Sequence, residues 1–95
     1  MSWYAGKGST PVEVTADAVV FNGACRLVGV TLNHTASTTA ILYDNASAAS
    51  GTKAAQIRCA ANDQAELWFG DEGVQMANGI FADWTAGVMT VYYKT

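Results

Sequence analysis

Ninety-five residues leave room for one domain with a modest core, and the apolar fraction of 51% overstates that core because 17 of those residues are alanine. The net charge is −3, and the five Lys and Arg residues are scattered, which excludes a nucleic-acid surface. Charged residues make up only 14% of the chain, below the usual quarter, so much of the exterior must be Ser, Thr, Asn, Gly and Ala, as on a surface that meets other protein.

The chain opens M-S-W-Y-A-G-K-G-S-T, two large aromatics among glycines and small polar residues, which reads as a flexible arm over residues 1–10. It has neither the basic start nor the apolar centre of a signal peptide, and no later apolar run reaches the roughly eighteen residues of a membrane span. The chain is therefore read as made in the cytoplasm and not membrane-inserted. Trp3 and Tyr4 have two readings: they tuck against the domain's own sheet, or they dock on a neighbouring subunit. If they dock, deleting Met1 to Gly8 leaves the melting transition in place and weakens assembly; loss of the transition would make the arm part of the core.

A β-sandwich domain is expected over 11–95. Pro11 introduces Val12 to Thr15, an expected edge strand. Ala18 to Phe21 is a second short run, and Asn22-Gly23 after it suggests a hairpin with Ala24 to Leu32. That longer run puts Arg26, Val28, Val30 and Leu32 on one side and Cys25, Leu27, Gly29 and Thr31 on the other. It is apolar on much of both faces, as in a central strand, and Gly29 suggests a bulge or a close backbone approach. Asn33 to Ser37 reads as a turn with the only histidine, His34, facing solvent. Thr38 to Tyr43 is a strand, and Asp44 to Gly51 a loop of small residues.

Thr52 to Asn62 is rich in helix formers, yet Ala55, Ile57 and Cys59 alternate with Gln56 and Arg58 between flanking strands, so a strand is expected. Gln64 to Phe69 alternates again, with Trp68 on the side of Glu66. After G-D-E-G and the short Val74 to Ala77, the turn Asn78-Gly79 leads into two β-branched and aromatic runs, Ile80 to Trp84 and Val88 to Tyr93. Joined by Thr85, Ala86 and Gly87, they read as a closing hairpin. Val88 to Tyr93 is apolar on both sides, an interior strand that sends Tyr92 and Tyr93 to opposite faces. About seven to nine short strands at this spacing predict an all-β fold: a single small antiparallel sandwich or jelly-roll-like barrel.

Chemistry is hard to find. One histidine in a turn and two cysteines in strand interiors do not supply a nucleophile with a base, and no phosphate-binding or dinucleotide motif occurs. No catalytic residue, cofactor or metal is assigned, and the chain is not read as an enzyme. Asp71 and Glu72 offer too few oxygens for calcium, and a solvated turn explains them. Cys25 and Cys59 are expected to be buried free thiols. Trp3, Tyr4, Trp68 and Tyr92 are the candidate interface residues, since large aromatics anchor interfaces and Trp68 shares a face with a glutamate.

The runs V-V-F-N-G-A-C-R-L-V-G-V (19–30), I-L-Y-D-N-A-S (41–47), N-G-I-F-A-D-W (78–84) and V-M-T-V-Y-Y-K (88–94) resemble the small β-sandwich structural proteins of tailed bacteriophages. The resemblance covers about residues 19 to 94 and rests on structural motifs. It implies a virion component, in the first reading a capsid decoration or cement protein. Its partners would be further copies of itself, with a trimer expected, and the major capsid protein. The alternatives are a neck, tail or fibre subunit, or a module binding host-surface carbohydrate through the loops 33–37 and 44–51. A glycan array separates the last from a purely structural role.

Overall fold

The computed structural model describes residues 9–70 and 72–95. The arm with Trp3 and Tyr4, and Asp71 of the acidic turn, lie outside the described residues. Within them the chain runs through nine strands: β1 (Thr10–Val14), β2 (Ala18–Asn22), β3 (Cys25–His34), β4 (Thr38–Asp44), β5 (Thr52–Cys59), β6 (Asp63–Trp68), β7 (Val74–Met76), β8 (Gly79–Asp83) and β9 (Val88–Lys94). Thr52–Cys59 is a strand, as expected. Pairing with β4 from Thr38↔Cys59 to Asp44↔Thr52 satisfies its backbone and buries Ile57 and Cys59, which outweighs the helix preference of its Ala, Lys and Arg residues.

The strands form two antiparallel sheets, β1-β9-β3-β6 with the short β7 also on β3, and β2-β8-β4-β5. Setting β7 aside, this alternation of consecutive strands between two four-stranded layers is the strand order of a jelly roll. β1 is an edge strand and β9 an interior one, as the sequence predicts. The inner faces enclose one core in which Leu27, Leu32, Met76, Ile80 and Met89 are fully buried.

Both expected hairpins are absent. β2 pairs with β8, while β3 pairs with β9, β6 and β7, so Asn22-Gly23 carries the chain from one sheet to the other. Likewise β8 and β9 lie in different layers. The physical reason is the length of β3. Its ten residues are matched by seven paired positions of β9 on one flank and by β6 and β7 on the other, leaving no edge for the five-residue β2. The two Asn-Gly turns meet instead at one end of the sandwich, where Gly23 N–H donates to the Asn78 carbonyl at 3.0 Å.

A bulge in β3 corrects the expected facing of its side chains. The register against β9 shifts between Leu27 and Gly29, making Val28 an extra residue. Cys25 and Leu27 therefore join Val30 and Leu32 inside, while Arg26 and Thr31 point outward. His34 is the last residue of β3 rather than a turn residue; it pairs with Asp63 and is half-buried.

Candidate functional site

The β1-β9-β3-β6 sheet carries Trp68 and Tyr92 on its outer face. The register sets Pro11, Tyr92, Gly29 and Trp68 in one row across the four strands, with Glu13, Thr90, Thr31 and Glu66 in the next. Gly29 supplies no side chain to its lane, so the indole of Trp68 crosses β3 at that point, and a Cβ there would overlap the indole ring. The ring ends beside Tyr92, with centroids 5.0 Å apart and a 47° tilt. The structure thus brings together two of the four candidates, Trp68 and Tyr92, through a glycine that sequence reasoning treated only as a backbone feature. Tyr93 points inward, onto Phe21 at 5.0 Å.

The second sheet holds the residues that sequence reasoning passed over. Val19, Phe81 and Tyr43 align across β2, β8 and β4, with Ile41 one row further along β4. All four lie outside the interior core cluster. Their signal was present in the alternation of Ile41 and Tyr43 with Leu42, and of Phe81 with Ile80 and Ala82. Apolar residues on both sides of a strand were taken to mark an interior position in a sheet. In a two-layer sandwich such a strand still turns one face outward.

Titratable groups serve the scaffold. Asp44, at the end of β4, accepts backbone hydrogen bonds from Ala77 (3.0 Å), Asn78 (2.8 Å) and Gly79 (3.4 Å), fixing the turn into β8. Partial burial pushes its pKa up, but the three N–H donors together outweigh that, so the carboxyl sits below its ordinary value. Its contribution to stability is therefore complete above the unfolded carboxylate range near about pH 4 and is lost as pH falls through the lower folded value. Asp44→Ala is expected to reduce stability by about 1–2 kcal/mol at neutral pH, as for loss of a capping side chain. In denaturant titrations the gap from the parent should shrink steadily below about pH 4; a gap constant down to pH 2 would show that the charged carboxylate is not what holds the turn.

Burial, and secondarily the charge of Asp44, raise the pKa of Cys25, which keeps the thiol protonated and a poor nucleophile. Cys25 and Cys59 are both free and buried. Cys59 Sγ donates to the Asp63 carbonyl at 3.0 Å across the β5–β6 turn. A shallow polar cleft lies between Arg26, Glu72, Lys94 and Thr95, where Arg26 Nη1 donates to the Glu72 carbonyl at 3.1 Å. Among the described residues no three His, Cys, Asp or Glu side chains are grouped to hold a metal ion. What the geometry offers is two outward sheet faces with large apolar side chains. No known protein family, curated protein or solved structure matches the chain.

Proposed function

We propose that this chain is a non-enzymatic structural subunit of a tailed-bacteriophage virion, a capsid decoration or cement protein that binds where shell subunits meet. The observation that carries the reading is the sandwich with large side chains on both outer faces: Trp68 and Tyr92 on one, Val19, Ile41, Tyr43 and Phe81 on the other. A domain of this size that stood alone would turn polar residues outward in those rows, and apolar rows that face out mark surfaces completed by another protein. The sequence resemblance supplies the virion setting. The jelly-roll order is used by viral shell proteins and by sugar-binding domains alike, so the fold is compatible with the reading without choosing it.

The mechanism is mechanical. Copies seated at subunit junctions bury apolar area that an expanding shell would have to expose, at about 25 cal/mol per Å² for each copy, and many copies sum to a resisting force. Mass spectrometry of particles purified from cells expressing the gene with its native neighbours should find the protein in numbers comparable to the capsid subunit. Electron cryomicroscopy should then place it at capsid junctions. Density confined to the neck, tail or fibres would move the subunit there, and absence from particles would end the virion reading.

A further inference from the structure

The outer face of the β2-β8-β4-β5 sheet is apolar at its centre and oppositely charged at its flanks. Val19, Phe81, Tyr43 and Lys53 form one row across the four strands, and Asp83, Ile41 and Gln56 form the next. Arg58 follows on β5, paired with Thr39. The acid thus stands on β8 while both bases stand on β5, with the apolar strip between them. Val19 is 42% exposed, a large apolar residue open to solvent at the rim of the strip. The edges of this sheet are poor places for an added strand. β2 is irregular between Val19 and Phe21, and the β4–β5 register shifts at Leu42 and Tyr43, so each edge departs from the straight ladder that strand addition needs. The face is left as the route to association.

We propose that this face binds the same face of a second copy of the chain, about a two-fold axis that runs along the strands between β8 and β4. Such an axis lays β8 of each copy over β4 of the other and β2 over β5. The apolar strip then meets itself, and Asp83 of each copy approaches the basic flank of the other. A two-fold axis across the strands would instead set acid over acid and base over base, so the charge pattern selects the first arrangement. Four strands at about 4.8 Å and five residues at about 3.4 Å give a footprint of roughly 300–400 Å² per copy, well under the roughly 800 Å² of a standard interface. The contact is therefore weak in free solution and is filled where copies are concentrated, as on a shared surface. It deepens the assembly reading by naming a partner, and it is separable from that reading, because a protein found on purified particles yet monomeric at all concentrations would overturn the dimer alone.

Sedimentation equilibrium of the full chain from micromolar to millimolar concentration tests it. A reversible monomer–dimer equilibrium is expected. Val19→Glu and Asp83→Lys should each weaken it by about tenfold or more while keeping the parent melting curve. The charge-reversed triple variant Lys53→Asp, Arg58→Asp, Asp83→Lys should return to within about threefold of the parent, since every opposed pair is again opposite in sign. A chain monomeric up to millimolar concentration, a trimer, association indifferent to Val19→Glu, or a triple variant no stronger than Asp83→Lys would each overturn the proposal.

Discussion

Gly87→Ala is expected to lower stability by about 3 kcal/mol or more, which for a domain of this size is a fall of about 12–24 °C in melting temperature. Gly87 ends the passage from β8 to β9 with φ at 85°, where an L side chain is strained. A Cβ there would also overlap the Asn33 carbonyl and stand 2.7 Å from His34 Cβ, both on β3 and unable to yield without moving the strand. The Gly87 carbonyl in turn accepts the Trp84 indole N–H at 2.8 Å, so displacing this residue loosens the tryptophan that fills the crossing. Gly51 provides the control. Its φ of 88° is nearly the same, but a Cβ there meets only Asn45 Nδ2 at 3.8 Å. Gly51→Ala should therefore cost only the strain of the left-handed region, about 1 kcal/mol. Equal losses at the two sites by thermal or denaturant melting would mean that the contact with β3 has no part in the effect.

The strands themselves were legible because alternation is local. Thr52–Cys59 could be read correctly against its helix-forming composition, since Ile57 and Cys59 recur with period two and neighbouring strands leave no room for a helix layer. Pairing was not legible, because turn chemistry states that the chain bends and does not state which sheet receives the next strand. Asn22-Gly23 and Asn78-Gly79 carry the residues of two-residue hairpins, yet both sit at corners between layers, joined by the Gly23 to Asn78 hydrogen bond and by the hold of Asp44 on the second. Long-range pairing of β3 with β9 decided the topology, and such matches of length and register appear only when the whole set of strands is laid out together.

The candidate surfaces followed the same division. That Trp68 shares a face with Glu66 and that Tyr92 and Tyr93 diverge are consequences of alternation, and each holds. That Trp68 and Tyr92 touch across an intervening strand is a consequence of register, which local pattern does not carry. The opposite sheet shows the converse. Phe81 and Tyr43 stand thirty-eight positions apart and meet only through the pairing of β8 with β4.

The glycine between the two aromatics gives the most direct test of that register. Gly29→Ala should cost about 2–3 kcal/mol, because the new methyl would occupy the place of the indole of Trp68 and lie 2.9 Å from the Leu67 carbonyl. Trp68→Ala should cost a further loss of its own, since it strips the lane of the ring that covers it and leaves Tyr92 without its neighbour. The two should not add. With the indole gone, the alanine at position 29 falls into vacated space and gains from the stiffer backbone that makes alanine better than glycine in a strand, by about 0.5–1 kcal/mol. That gain is set against a shift of a few tenths of an ångström away from Leu67. Gly29→Ala should then be close to neutral in the Trp68→Ala background, a coupling of about 2–3 kcal/mol between two residues of paired strands. Near-ultraviolet circular dichroism gives an independent reading, because Gly29→Ala should remove much of the signal that the fixed Trp68–Tyr92 pair contributes. The same cost for Gly29→Ala in both backgrounds would show that the indole does not lie over this strand, and the aromatic surface built on it would have to be redrawn.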